Sequence, residues 1–341
     1  MTPPDPHGTL ERRLDALAMV RSGSGHEVLP LTSAATHVWS YGPAGAGPTV
    51  LMLHGFRGDH HGLELPAAFL PNYRIVIPDL PGFGASEPLR TGDHSVLGYA
   101  RWAREVLDVY TRAGDVVLVG HSFGSVIAAA TAATAPMDAV VGVVLISPIP
   151  APVRRVQPRS ATVWADGFHR WAGRLPERLG DRLLRHPLVT RVSTTLTLTT
   201  PDPAVRRWIH REHRRHFSSF ASRDMLLEAY DAAAGGSVDA YAERIDVPTR
   251  LIAGRIDRLA PIAELHRTAA LFEDAELTLV DGVGHLLHYE APERVAAVIH
   301  HAAGRAGLSA TLGTAAGGAA PASGRGGAAP LSGLAPKPMS E

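Results

Sequence analysis

The chain has 341 residues, 45% apolar and 19% charged, a balance that supports a packed core and excludes a wholly disordered protein. Basic and acidic side chains number 33 each, which leaves no overall charge to hold nucleic acid. The absence of cysteine excludes disulfides, thiol nucleophiles, Cys-ligated zinc and iron–sulfur clusters. No apolar run reaches ~18 residues, the length that spans a bilayer, and Met1 to Leu10 has neither the basic nor the apolar part of a signal peptide. The expectation is a cytoplasmic protein.

The N-terminal segment, 1–26, is expected to be partly disordered, although Leu10, Leu14, Leu17 and Val20 are spaced for one face of a short helix. Short apolar runs then alternate with helical patterns. Strands are expected at Thr36–Tyr41, Thr49–Leu53, Arg74–Ile77, Val116–Val119, Val140–Ile146, Thr249–Ala253 and Leu277–Val280. Helices are expected at Tyr99–Thr111, Phe123–Ala133, Pro261–Phe272 and Pro292–Ala303. The middle strands are apolar on both faces, as strands of a parallel sheet covered by helices must be. This alternation predicts a doubly wound α/β core from residues 27–147 and 247–303.

Residues 148–246 break the rhythm. Between Ala151 and Arg223 there are 15 Arg against 5 acidic residues, which predicts an Arg-rich helical cap inserted between two strands. The basic excess reads first as a solvated helical face, and otherwise as an entrance attracting an anionic acyl substrate or an anionic membrane surface. Residues 304–341 are mostly Gly, Ala, Pro and Ser and are expected to form a disordered tail.

Gly120-His121-Ser122-Phe123-Gly124 fits G-x-S-x-G between a predicted strand and a predicted helix. That turn needs small residues two before and two after the nucleophile, because backbones crowd there. A serine hydroxyl needs a base, and the base an orienting carboxylate, in the chain order Ser, acid, His. Asp257 follows the Thr249–Ala253 strand and His285 follows the Leu277–Val280 strand. Asp281 and Asp274 lie on or before the histidine's own strand, Asp246 sits at the wrong edge, and His288 lacks the preceding Gly of a tight loop. Asp257 and His285 are therefore preferred as partners of Ser122. Two amides must hold the oxyanion: the Phe123 N–H by position, and the Phe56 N–H in the turn His54-Gly55-Phe56. His54 is read as shaping that turn by a hydrogen bond. Trp164, Phe168, Trp171 and Trp208 are candidates for the substrate roof. Asp59-His60-His61, His210 with His213, and His213 with His216 are close sets expected by chance among 18 histidines, and no metal is expected.

These motifs, with Asp79-Leu80-Pro81-Gly82-Phe83-Gly84-Ala85-Ser86, Gly254 and Glu290-Ala291-Pro292-Glu293, make the chain resemble the capped serine hydrolases of the α/β-hydrolase superfamily, esterase- or lipase-like, over about residues 35–302. The resemblance implies an α/β-hydrolase fold with a mostly parallel central sheet and a helical cap. It also implies a triad of Ser122, Asp257 and His285, no metal and no organic cofactor. Haloalkane dehalogenases and soluble epoxide hydrolases are similar but need an aspartate where Ser122 stands. The expected activity is hydrolysis of carboxylic esters or related acyl compounds through an acyl-enzyme. Carbon–carbon hydrolysis, thioester hydrolysis and acyl transfer use the same triad and stay open, as does a non-catalytic binding module on the same fold. Oligomeric state is not legible.

Overall fold

A computed structural model describes residues 8–43, 47–134 and 138–316. The chain opens with α1 (Gly8–Ser22), β1 (Gly25–Pro30), β2 (Ala35–Tyr41), β3 (Thr49–Leu53), a short helix α2 (Glu64–Ala67) and β4 (Ile75–Pro78). Then come α3 (Val96–Tyr110), β5 (Val116–His121), α4 (Phe123–Thr134) and β6 (Val140–Ile146). Six helices follow: α5 (Val153–Val156), α6 (Arg159–Arg174), α7 (Glu177–Leu184), α8 (Pro187–Thr197), α9 (Pro203–His216) and α10 (Arg223–Gly235). The chain returns to the sheet with β7 (Thr249–Gly254), α11 (Ile262–Ala269), β8 (Ala275–Val280), α12 (Leu287–Glu290) and α13 (Pro292–Ala316).

The eight strands form one sheet in the order β1-β2-β4-β3-β5-β6-β7-β8. It is an α/β-hydrolase fold. The strands from β4 to β8 are parallel, and β2 pairs antiparallel with both β1 and β4. Strand alternation divides the core into two layers. Leu51, Leu53 and Leu118 face α3 and α4 with Trp102, Val106, Val126 and Ile127. Val50, Met52, Val117 and Val119 face α13 with Val295 and Ile299. β3, β4 and β5 are buried throughout, which is why their sequences are continuous apolar runs.

After β3 the chain places β4 on one side and β5 on the other, with Leu53 beside Gly120. Such a reversal leaves a crevice beyond the strands' carboxyl ends, where α/β proteins bind ligands. The six-helix insertion between β6 and β7 is tied to the Pro/Gly loop below it. Gly84 N donates to Ser219 O and Ala221 N to Gly82 O, around a bridge between Phe83 and Phe220.

Most expected elements are present with shifted ends, and the larger departures lie at β1 and at the last helix. β1 was not expected, because only Leu29 of its six residues is buried and an edge strand so exposed carries no alternation. The short helix suggested by the Leu10, Leu14, Leu17 and Val20 spacing is present from Gly8, with Leu17 buried. Arg13 pairs with Glu293, and Arg21 pairs with Glu64 and Glu212. The last helix continues to Ala316, past Gly304, and the remainder of the expected tail lies outside the described residues. Among the described residues, no helix is long and apolar enough to cross a membrane.

Candidate active site

Ser122 sits between β5 and α4 with φ 53°, a left-handed conformation held against its own steric cost. The two flanking glycines make that turn possible. A Cβ on Gly120 would lie 2.2 Å from the Gly124 carbonyl oxygen, and one on Gly124 would lie 2.2 Å from the Leu53 oxygen. Ser122 N donates to Ile146 O at 3.0 Å, and the Ser122 carbonyl accepts from Ser125 N and Oγ. The turn is fixed at both ends.

The loops after β7 and β8 meet this turn. Gly254 has no room for a Cβ, which would stand 2.1 Å from the Val283 oxygen, so the two loops pack backbone to backbone. Asp257 Oδ2 lies 2.8 Å from His285 Nδ1, and His285 Nε2 lies 2.8 Å from Ser122 Oγ. Asp257 Oδ1 accepts from Leu259 N at 2.8 Å. Asp257 and His285 are each 6% exposed, so the relay lies out of bulk water. Asp281 pairs with Arg255 and Asp274 with Arg250, both away from the histidine.

His54 shapes its turn. Its Nδ1–H donates to the Gly55 carbonyl and its Nε2 accepts from Leu80 N, both at 2.9 Å. Complete burial pushes its pKa down, which keeps Nε2 free of a proton to accept that bond. Phe56 and Phe123 both line the cavity beside Ser122. Phe123 opens α4, so its N–H is one of the helix's first four, which have no intrahelical acceptor. Asp79 anchors the neighbouring loop by accepting from His60 N and Ala85 N at 2.8 Å.

The cavity measures about 380 Å³. Its walls are mostly apolar, with Phe56 and Ile149 from the core loops and Val189, Leu196, Phe217 and Tyr230 from the insertion. Burial drives His121 and His288 well below the ordinary histidine pKa, and His213 down to about 3. These three are neutral imidazoles at physiological pH. His213 Nδ1 is 2.8 Å from Thr194 Oγ1.

The four expected roof aromatics do not line this cavity. Trp164 and Trp171 are 80% and 54% exposed. Phe168 packs against the main core, and Trp208 is buried with Leu17, Leu65 and Ile209, edge-on to Tyr289. Bulk was a poor guide to the inward face of α6, which reaches the cavity through Ala165 and His169 instead. Arg57 and Tyr230 were not singled out from the sequence. Arg57 could have been, since it directly follows Phe56 in the same turn.

Among the described residues, Asp59, His60 and His61 bring ligand-type atoms within 4.8 Å of one another. Each already has a protein partner: His61 Nδ1 bonds Asp59, His60 Nδ1 bonds Asp79, and His216 stacks on His61. His60 also stacks on Trp39 at 3.5 Å.

Known proteins resemble the chain in sequence and in fold. The chain is 28% identical over 270 residues to the pimeloyl-(acyl-carrier protein) methyl ester esterase of Xanthomonas campestris pv. campestris, across 75% of this chain and 95% of the esterase. Lipase 1 of Psychrobacter immobilis is 32% identical over 120 residues, so the match spans only 38% of that lipase and 35% of this chain. The structure of a thermophilic esterase from Thermogutta terrifontis superposes with a TM-score of 0.65 at 21% identity, covering 83% of this chain and 99% of the esterase. At that identity the likeness concerns the fold. The profile of the Alpha/beta hydrolase family matches residues 50–298. With most of its length accounted for in this way, the chain belongs to the alpha/beta hydrolase family.

Proposed function

We propose that the protein is a serine hydrolase that cleaves carboxylic esters through an acyl-enzyme on Ser122. His285 Nε2 takes the Ser122 proton as Oγ attacks the substrate carbonyl. Asp257 holds the Nδ1–H and stabilises the imidazolium that forms. The Phe56 and Phe123 amides hold the oxyanion, and the amino-terminal end of α4 adds its partial positive charge. His285 returns its proton to the leaving alcohol, then activates the water that releases the acid. The helical insertion acts as a cap, and its apolar wall receives the hydrocarbon part of the substrate.

The observation that carries this reading is the unbroken relay Ser122–His285–Asp257, with both bonds at 2.8 Å, on a serine held at positive φ. The test is labelling with a fluorophosphonate probe, together with hydrolysis of p-nitrophenyl esters of graded acyl length, by wild type and Ser122→Ala. Labelling should vanish in the variant and turnover should fall by about 10⁴-fold or more. A variant that keeps either activity, or a folded wild type that shows neither, rejects the proposal. Labelling without turnover of simple esters keeps the nucleophile and moves the substrate class to thioesters or carbon–carbon bonds.

A further inference from the structure

Arg57 follows Phe56 at φ 64°, and its side chain turns in beneath the insertion, 4% exposed, at the wall of the cavity. Its Nη2 donates to the Leu184 carbonyl at 2.7 Å and lies 3.5 Å from Ser218 Oγ. Among the described residues, Nε and Nη1 have no hydrogen-bond partner. That leaves three buried N–H donors unpaired.

The charge is also unmatched. Burial, and after it the neighbouring cation Arg185, lower the Arg57 pKa to about 10. The group still stays protonated at neutral pH. Arg185 is itself paired with Asp181. The two carboxylates that line the cavity, Asp59 and Glu212, are engaged elsewhere, with His61 and Arg21. His169, stacked on Tyr230 across the cavity wall, is held neutral by burial and then by the Arg57 charge. Burying a cation without a counter-charge is strongly unfavourable, and among the described residues no carboxylate pairs with Arg57.

We propose that Arg57 binds a carboxylate carried by the substrate, so that carboxylate-bearing esters are hydrolysed in preference to neutral esters of the same size. This rests on the serine-hydrolase reading above. A single guanidinium neutralises a monoanion, whereas a phosphate dianion would leave net negative charge in an apolar cavity.

The test compares p-nitrophenyl hemiesters of glutarate, adipate and pimelate with p-nitrophenyl alkanoates of matched length. A butyryl ester of 4-hydroxybenzoate against phenyl butyrate covers a carboxylate on the alcohol side. At one chain length or on one side, wild type should favour the charged ester. The ratio of the two kcat/KM values should then fall about 10- to 100-fold in Arg57→Met. A neutral preference in every pair, or an unchanged ratio in Arg57→Met, overturns the proposal. Binding is read separately by thermal shift in Ser122→Ala, where the free dicarboxylates should raise Tm and should cease to do so once Arg57→Met is added. That arm needs no turnover, so failure of the triad reading leaves it intact. Inorganic phosphate stabilising Ser122→Ala where dicarboxylates do not would also overturn the proposal. Should Arg57→Met not fold, the wild-type ratios and Arg57→Lys, which keeps the charge but loses two of the donors, decide the matter.

Discussion

Gly120 and Gly124 face each other across Ser122 so closely that a Cβ on the first would stand 2.2 Å from the carbonyl oxygen of the second. Both obstructing groups are backbone and cannot rotate away. Gly120→Ala should therefore cost about 2–4 kcal/mol of stability, or leave the protein insoluble. Urea unfolding of the variant checks this, and a loss under about 1 kcal/mol would show that the turn relaxes.

In the proposed mechanism Asp257 acts only through His285, which it bonds at 2.8 Å. In Asp257→Asn the side-chain amide can donate to Nδ1, moving the imidazole proton to Nε2, where it can no longer accept from Ser122. The expected result is a fall in kcat of about 10³–10⁴-fold with Tm nearly unchanged. A modest loss of kcat would mean that another carboxylate orients the ring.

Acid should destabilise the fold. His121, His288 and His213 are neutral because burial lowers their pKa values, whereas the unfolded chain protonates near pH 6.5. Their contribution is complete above that pH and is lost as pH falls, for His213 down to about 3. His61 works in the opposite sense: burial opposes its charge, but the bond and charge of Asp59 outweigh it and raise its pKa. His54 and His169 are lowered in the same way, so the histidines that resist protonation outnumber His61 and leave a net loss on acidification, at about 1.4 kcal/mol per pH unit for each histidine. Urea unfolding at pH 7.5, 6.5 and 5.5 should show ΔG falling across the lower interval, and a flat profile would contradict this.

Leu17 of α1 packs with Trp208 and Ile209 of α9 and with Leu286 and Tyr289, so the N-terminal helix holds the insertion against the core. Leu17→Ala should cost about 2–4 kcal/mol. A cost under about 0.5 kcal/mol, the range of surface changes, would show that this cluster adds little.

Trp164 is 80% exposed. Trp164→Ala should leave p-nitrophenyl ester kinetics within about twofold and stability within about 0.5 kcal/mol. A large change in KM would place this side chain on the substrate's path.

The elements that were legible share one property: their signal is local. β3 and β6 were expected with the bounds observed, because a strand buried on both faces is a continuous apolar run. β1 was missed because five of its six residues are exposed. Its place is set by pairing with β2, which no window of sequence contains. The insertion was readable as helical and Arg-rich, but not which of its side chains face inward. Trp164 and His169 lie on the same helix, and only the packing of α6 decides that the smaller ring reaches the cavity.

By itself the sequence determined the alternation of strands and helices, the glycine spacing about Ser122, and the chain order of serine, acid and histidine. Steric demands within a turn, and apolar demands along a strand, are written in consecutive residues. The tertiary structure alone decided that Ser122, His285 and Asp257, up to 163 residues apart, come within 2.8 Å of one another in turn. It alone left the guanidinium of Arg57 buried without a carboxylate among the described residues, since a charge's environment is set by what folds over it.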